Sequence, residues 1–476
     1  MTTITQNDTT ANFKKAASRL IRKIDIRIIP YIAMLKLFMF GSHYTMGFTR
    51  LTHFRSDLNL SSEEDSLSVS AYYVGYLIFA VPSTIVPRFI GLTRYIVLCM
   101  ILWGIFTCSI AFVVNGKQVI ALRCVLGVIE SGNFACIMIY ISLWYRRRDQ
   151  IMRLAVFLGA SYVFGAFAEF LFYIINKMDG VEGLKNWQWF DLLTGLPIIP
   201  FGIVNYFCFG TVPETVHWLS NIEKDFLTEI LRTDAGMANT EPQSNSRLSW
   251  RQVRYVFMDL KIYRYCMIYL GSVGILRCFP IIIPLLLNNF SFTQSPIELF
   301  MIGIYIIAIV SCFSGSYSAF RCYEHGFHIT GFLFVALLGY VFLASLSEIS
   351  STAGYVGLCM ATFGLCGASP ILLAWSTNNV GGHVKRAVAI GCFIAISQLG
   401  GIVVTQFYRD ANKSIIQRGH IISGGAVTFA LITTCIQRAC LKKENNRRNH
   451  LSPVEHEREK NVEEPCDLHP DFRYAL

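Results

Sequence analysis

The sequence predicts an all-α membrane protein with twelve transmembrane helices in two six-helix bundles. Three observations carry that prediction. Of 476 residues, 53% are hydrophobic and only 15% are charged, where a soluble domain carries roughly a quarter charged residues. Many apolar runs approach the ~20 residues that cross a bilayer as a helix. Those runs are continuous rather than alternating, which excludes a β-barrel.

The elements follow in order. Residues 1–27 form a polar tail in which Lys14, Lys15, Arg19, Arg22, Lys23 and Arg27 suit an anionic cytosolic membrane surface. No signal peptide is legible in it. Apolar spans come next at about 28–49, 68–90, 94–114, 117–143, 152–176 and 189–210, giving an N-terminal bundle over 28–210. Residues 211–262 form a central loop, whose polar Ser/Asn/Gln/Pro stretch at 239–247 reads as a solvated connector. Six further spans at about 263–287, 297–320, 327–346, 353–377, 387–408 and 420–441 make a C-terminal bundle over 263–441. Residues 442–476 form a charged tail.

Twelve spans place both tails on one side. Of the 41 Lys and Arg, 30 fall on the face of the tails and central loop and eight on the opposite face, with Lys36, Arg123 and Arg277 inside spans. Basic residues accumulate in the cytosol, so both tails are expected there. The sequons at Asn59, Asn289 and Asn412 then fall outside, and that at Asn7 inside.

The stretch from Leu122 to Arg153 is the most informative. An apolar helix there carries Arg123 and Glu130 and ends in Arg146, Arg147 and Arg148. Each ionised group inside a span costs on the order of 3 kcal/mol on an insertion scale, so it persists where it meets a partner or a water-filled path. Arg123, Gly127 and Glu130 share one helix face, yet the two charges stand about 10 Å apart along the axis. Each therefore needs another partner, which is either a neighbouring helix or a substrate or coupling ion. Further polar candidates inside spans are His43, Glu169, Arg277 and Gln398. A guanidinium in a closed cavity can hold a carboxylate through two parallel hydrogen bonds, although Arg277 could instead snorkel to the interface. Glu169 is a candidate proton site or a counter-charge to Lys36 or Arg123. Small residues such as Gly127, Gly132, Gly159 and Gly165 read as sites of close helix approach.

Other classes lack an anchor. No GxxxxGK[ST] phosphate loop, HExxH or nucleophile elbow is present, which argues against a nucleotide-driven pump or an enzyme. The 15 Cys are scattered, with no CxxC pair, so neither a zinc site nor a disulfide framework is indicated.

Several stretches resemble the fungal allantoate permease group of the anion:cation symporter family, within the major facilitator superfamily. LRCVLGVIESGNFACIMIYISLWYRRRDQIMR is similar to that group's span-4 pattern. Met178-Asp179-Gly180, then Trp187, Trp189 and Gly195-Leu196-Pro197, resemble its MDG…GWRW…EGLP, and Pro213-Glu214-Thr215 with Trp218-Leu219 its SPETAKWL. Trp375 to Ala389, WSTNNVGGHVKRAVA, is the most specific match, and Asp471-Phe472-Arg473-Tyr474 resembles a family ending. The similarity covers about residues 25–445.

The resemblance implies two bundles that rock about a midplane site to give alternating access. It implies proton-driven import of a small organic anion, such as a carboxylate vitamin or a ureide (allantoate, nicotinate or pantothenate). Arg123 and Glu130 match the family's span-4 Arg and Glu, and Arg50 the Arg that closes span 1. The chain departs where Ser42 and His43 replace the family's span-1 Asp-Arg pair, Thr194 replaces the Glu of EGLP, and Ala135-Cys136 replaces Pro-Gly. Arg277 and Glu169 stand where small neutral residues are usual.

The resulting expectation assigns Arg123, His43, Arg277 and Gln398 to substrate, and Glu130 and Glu169 to proton coupling. No metal, cofactor or nucleic-acid partner is expected, and the chain is read as a monomer in the plasma membrane or the endoplasmic reticulum. Import of a neutral or cationic solute, uniport, and a non-transporting sensor on the same fold are the alternatives.

Overall fold

Prolines and caps decide where these helices start, bend and stop. In the computed structural model, which describes residues 2–48, 54–208, 210, 216–235, 249–290, 297–347, 349–408, 413–462, 464 and 466–476, each expected span is helical. α1 runs Thr2–Phe48, so the basic tail is the N-terminal part of the first helix rather than a separate coil. α2 spans Ser62–Phe79 and starts with a capping box. The Ser61 hydroxyl accepts from Glu64 N at 3.1 Å, while the Glu64 carboxylate accepts from Ser61 N at 3.0 Å. Two otherwise unpaired amides are thereby satisfied. Short helices Pro82–Ile85 and Pro87–Ile90 continue α2 after a 46° bend, because proline removes a ladder donor and crowds the preceding turn.

α3 is Leu92–Ile110, α4 Gly116–Trp144, α5 Arg147–Asn176 and α6 Asn186–Gly195. The helix Ile198–Cys208 extends α6 beyond Pro197. α7 is Leu260–Gly271, continued by Val273–Leu276 and, after a 48° bend, by Phe279–Asn289. α8 is Ile297–Cys322, α9 Gly326–Leu346, α10 Ser351–Asn378, α11 His383–Phe407 and α12 Lys413–Asn449. Among the described residues nine helices are long and apolar enough to cross a membrane, or eleven with each bent pair counted as one. Large apolar side chains such as Phe89, Phe112 and Phe207 lie on the outside of the bundle, as lipid contact requires.

Parts of the central segment and of the tail are helical, while the polar stretch 239–247 lies outside the described residues. The central segment carries helices Asn221–Ala235 and Trp250–Met258, and Lys23 of α1 pairs with Glu223 at 2.8 Å. A helix Pro453–Lys460 follows α12, and residues 466–476 fold back onto the bundle with Phe472 and Tyr474 buried. Of the sequons, Asn59 is exposed. The amide nitrogen of Asn289, the atom a glycan would join, is buried, which removes it as an acceptor site. Asn412 lies outside the described residues.

Helices α1–α6 come from the N-terminal half of the chain and α7–α12 from the C-terminal half. The halves meet where α2 packs on α11, α5 on α8 and α10, and α1 on the last segment of α7. At the last crossing a Cβ on Gly47 would lie 2.0 Å from the Pro280 carbonyl oxygen, so only glycine lets the two backbones touch. On the same side of the molecule Gln406 of α11 donates to Ser70 at 3.0 Å and accepts from Ser66 at 3.3 Å. On the opposite side, the basic face that carries the tails, Asn378 donates to the Arg147 carbonyl at 2.9 Å. Described contacts thus join the halves on both sides of the space between them.

Candidate functional site

That space is a cavity lined from both halves and partly open to solvent. α1, α4 and α5 contribute Lys36, Phe134 and Tyr162; α7, α10 and α11 contribute Tyr269, Arg277, Ser369 and Ser397. It is mostly apolar, with few polar groups to fix orientation, as small-molecule sites are.

Two cations meet in it. Lys36 Nζ sits 5.0 Å from the centroid of Phe134 and 5.4 Å from that of Phe157. Arg277 crosses from the other half to place Cζ 5.1 Å from the same Phe134 and 5.2 Å from Tyr76. The ring faces stabilise both charges. The two distances to Phe134 leave the charges no more than about 10 Å apart. At an effective dielectric near 20 they repel by at least about 1.7 kcal/mol. Arg277 Nε is buried with no hydrogen-bond partner among the described residues. No described carboxylate lies within ion-pair distance of either cation, although Glu130 acts on both from farther away. An anion entering the cavity would relieve the repulsion and fill the open donor.

The other expected residues lie behind this lining. Glu130, 1% exposed, accepts from Tyr72 of α2 at 2.5 Å. Gly127 on its face lies so close to α2 that a Cβ would stand 2.0 Å from the Tyr72 carbonyl oxygen. The Arg123–Glu130 face thus packs against a neighbouring helix. Arg123, 2% exposed, acts by its charge on Asp191 of α6, whose two carboxylate oxygens are buried without hydrogen-bond partners among the described residues. Sequence reasoning missed Asp191, although an acid inside WQWFDLLTGLP was a signal. It also left Lys36 as a bystander. Glu169 accepts from Tyr44 of α1 at 2.5 Å, so its closest described partner is a phenol rather than Lys36 or Arg123. Gln398 is fully buried, with Nε2 bonded to the Ile394 carbonyl at 3.3 Å and Oε1 without a partner among the described residues. The side chain of His43, and all of Arg50, lie outside the described residues.

The family model of the Major Facilitator Superfamily matches residues 32–405. The chain belongs to that superfamily. Its relatives within the superfamily include a putative tartrate transporter of Agrobacterium vitis, 26% identical over 92% of this chain and 98% of that one. Another is a high-affinity nicotinic acid transporter of Saccharomyces cerevisiae, 23% identical over 96% of this chain and 84% of that one. Among solved superfamily structures, the proton:xylose symporter XylE aligns with a TM-score of 0.66 at 13% identity, covering 87% of this chain and 94% of that one. The Escherichia coli fucose:proton symporter FucP aligns at 0.59 and 12% identity, over 86% and 99%. At such identities the likeness shows the fold alone, an all-helical multi-pass bundle. Superfamily members of this kind are transporters rather than enzymes.

Proposed function

We propose that this facilitator imports a small organic anion together with protons, in the manner of the allantoate permease group. The observation that carries this reading is the pair Lys36 and Arg277, brought from opposite halves to one phenylalanine ring in an apolar cavity. Binding an anion between them draws the halves together around substrate, which is the differential affinity alternating access needs. Phe134, Tyr162 and Tyr269 suit a flat or apolar body attached to the anionic group. Relatives named for tartrate and nicotinic acid support a carboxylate. Glu130 and Glu169, each hydrogen-bonded to a tyrosine, carry the coupling protons. The basic face is cytosolic, and the protein works as a monomer in the plasma membrane.

The test is charge selectivity of binding. Purified protein in detergent is heated with carboxylates and with the matching amides. Carboxylates raise the melting temperature and amides do not. Equal stabilisation by acid and amide overturns the anionic substrate.

A further inference from the structure

Two motifs that the anion site leaves unused meet on the basic face. One is the α10–α11 turn within WSTNNVGGHVKRAVA; the other is Asp471-Phe472-Arg473-Tyr474. Residues 466–476 lie as a strap in a socket formed largely by the first. Asp467, 1% exposed, bonds Lys261 at 2.5 Å and Lys385 at 2.6 Å. Trp375 Nε1 donates to the Ala475 carbonyl at 2.8 Å, and Asn379 exchanges two hydrogen bonds with Ala475 at 2.7 and 3.0 Å. Arg448 of α12 donates to the carbonyls of Phe472 at 2.8 Å and Asp467 at 3.0 Å. Every one of these anchors belongs to the C-terminal half.

The strap's described bonding to the N-terminal half is of another kind. It falls on Arg147, the first residue of α5. The Arg147 guanidinium carbon stands 4.3 Å from the Phe472 ring centroid, and Nη1 reaches the Arg473 carbonyl at 3.5 Å. The Arg147 carbonyl is also where Asn378 ties α10 to the start of α5. The strap is therefore fixed by buried ion pairs to one half and held by a stacked cation and one long hydrogen bond to the other. When the halves part on this side, the strong attachment stays and the weak one breaks.

We propose that residues 466–476 are a latch that holds the basic side of the transporter closed, with Phe472 against Arg147 as its catch. Release of the catch precedes opening to that side. The latch acts whichever solute is carried, so it does not depend on the anionic reading.

Hydrogen–deuterium exchange on the full chain in nanodiscs tests it. Phe472→Ala removes the catch and leaves the anchors of Asp467, Trp375 and Asn379; deletion of 466–476 removes the whole strap. With the catch gone, exchange rises several-fold at residues 144–150 of the N-terminal half, which are not part of the socket. Exchange falls on the opposite side, at 62–70 and 400–406, because opening one side closes the other. Arg147→Met reproduces the pattern from the other partner. Faster exchange confined to the strap and its socket, with 144–150 and 62–70 unchanged in Phe472→Ala, overturns the proposal and leaves the strap a structural cap on the C-terminal half. Loss of folding on deletion, with Phe472→Ala folded and unchanged, has the same meaning.

Discussion

Arg277→Gln removes one of the two cations in the cavity while keeping a side chain of similar reach. A carboxylate about 4 Å from a guanidinium gains about 4 kcal/mol at an effective dielectric near 20. A glutamine amide recovers about 1 kcal/mol through a neutral hydrogen bond. The net loss of about 3 kcal/mol weakens binding roughly a hundredfold. Arg277→Lys keeps the charge but loses the planar fork, so it falls between wild type and Arg277→Gln. No described carboxylate lies within ion-pair distance of this cation, but its charge acts on buried Glu130, so expression is measured alongside uptake. The assay is concentration-dependent uptake of the best carboxylate, normalised to protein at the membrane. An apparent affinity within about threefold of wild type for Arg277→Gln, at normal expression, refutes the two-cation site.

Glu130→Gln preserves shape and removes titration. It should retain exchange of substrate between the two sides but lose pH-driven accumulation, and unchanged accumulation would pass the role to Glu169. Arg123→Ala removes the charge that acts on the buried Asp191 carboxyl, and should lower stability. Expression should collapse and be partly restored by adding Asp191→Asn; a single variant that expresses and transports normally contradicts that pairing. Burial alone would raise the Asp467 carboxyl, but the Lys261 and Lys385 ammoniums outweigh it and hold it well below the usual carboxylate range. A carboxyl depressed by folding stabilises above its unfolded value, near 3.9, and the contribution fades as pH falls through the lower folded one. Protection of 466–476 from exchange should accordingly be flat from pH 8 to 7, above the range in which His469 in the strap and His325 against it, both held below the usual imidazole value, begin to oppose it, and release within that window counts against the ion-paired anchor. Glycan, if attached, should be on exposed Asn59 and not on Asn289, whereas modification of Asn7 would invert the topology.

Much of the fold could be read from the sequence because a bilayer imposes a length and an apolarity that single residues cannot disguise. Prolines do not by themselves mark the breaks: Pro82, Pro197 and Pro280 lie at them, whereas Pro284 and Pro370 sit inside continuous helices. Site residues were harder. Arg123 and Glu130 were conspicuous as charges in one helix, but helix periodicity says only that they share a face, not which neighbour covers it. α2 and Asp191 of α6 do, through contacts more than fifty residues away in sequence. Lys36 was visible as a charge within span 1, yet its meeting with Arg277 at Phe134 depends on how two halves dock, which no local pattern encodes. The tail read as a charged appendage by composition. Its burial comes from complementary pairs, Asp467 with Lys385 and Ala475 with Asn379, that lie some eighty to a hundred residues apart.

The most direct test of the account is proton-driven uptake by purified protein in liposomes, with a panel of carboxylates, their amides and matched amines, under imposed pH gradients. The account predicts accumulation of carboxylates above equilibrium when protons flow inward, collapse of that accumulation with a protonophore, and none for amides or amines. It also predicts that Lys36→Met and Arg277→Gln each abolish it at micromolar substrate. Accumulation of an amide or amine, or carboxylate uptake indifferent to both substitutions, would contradict it.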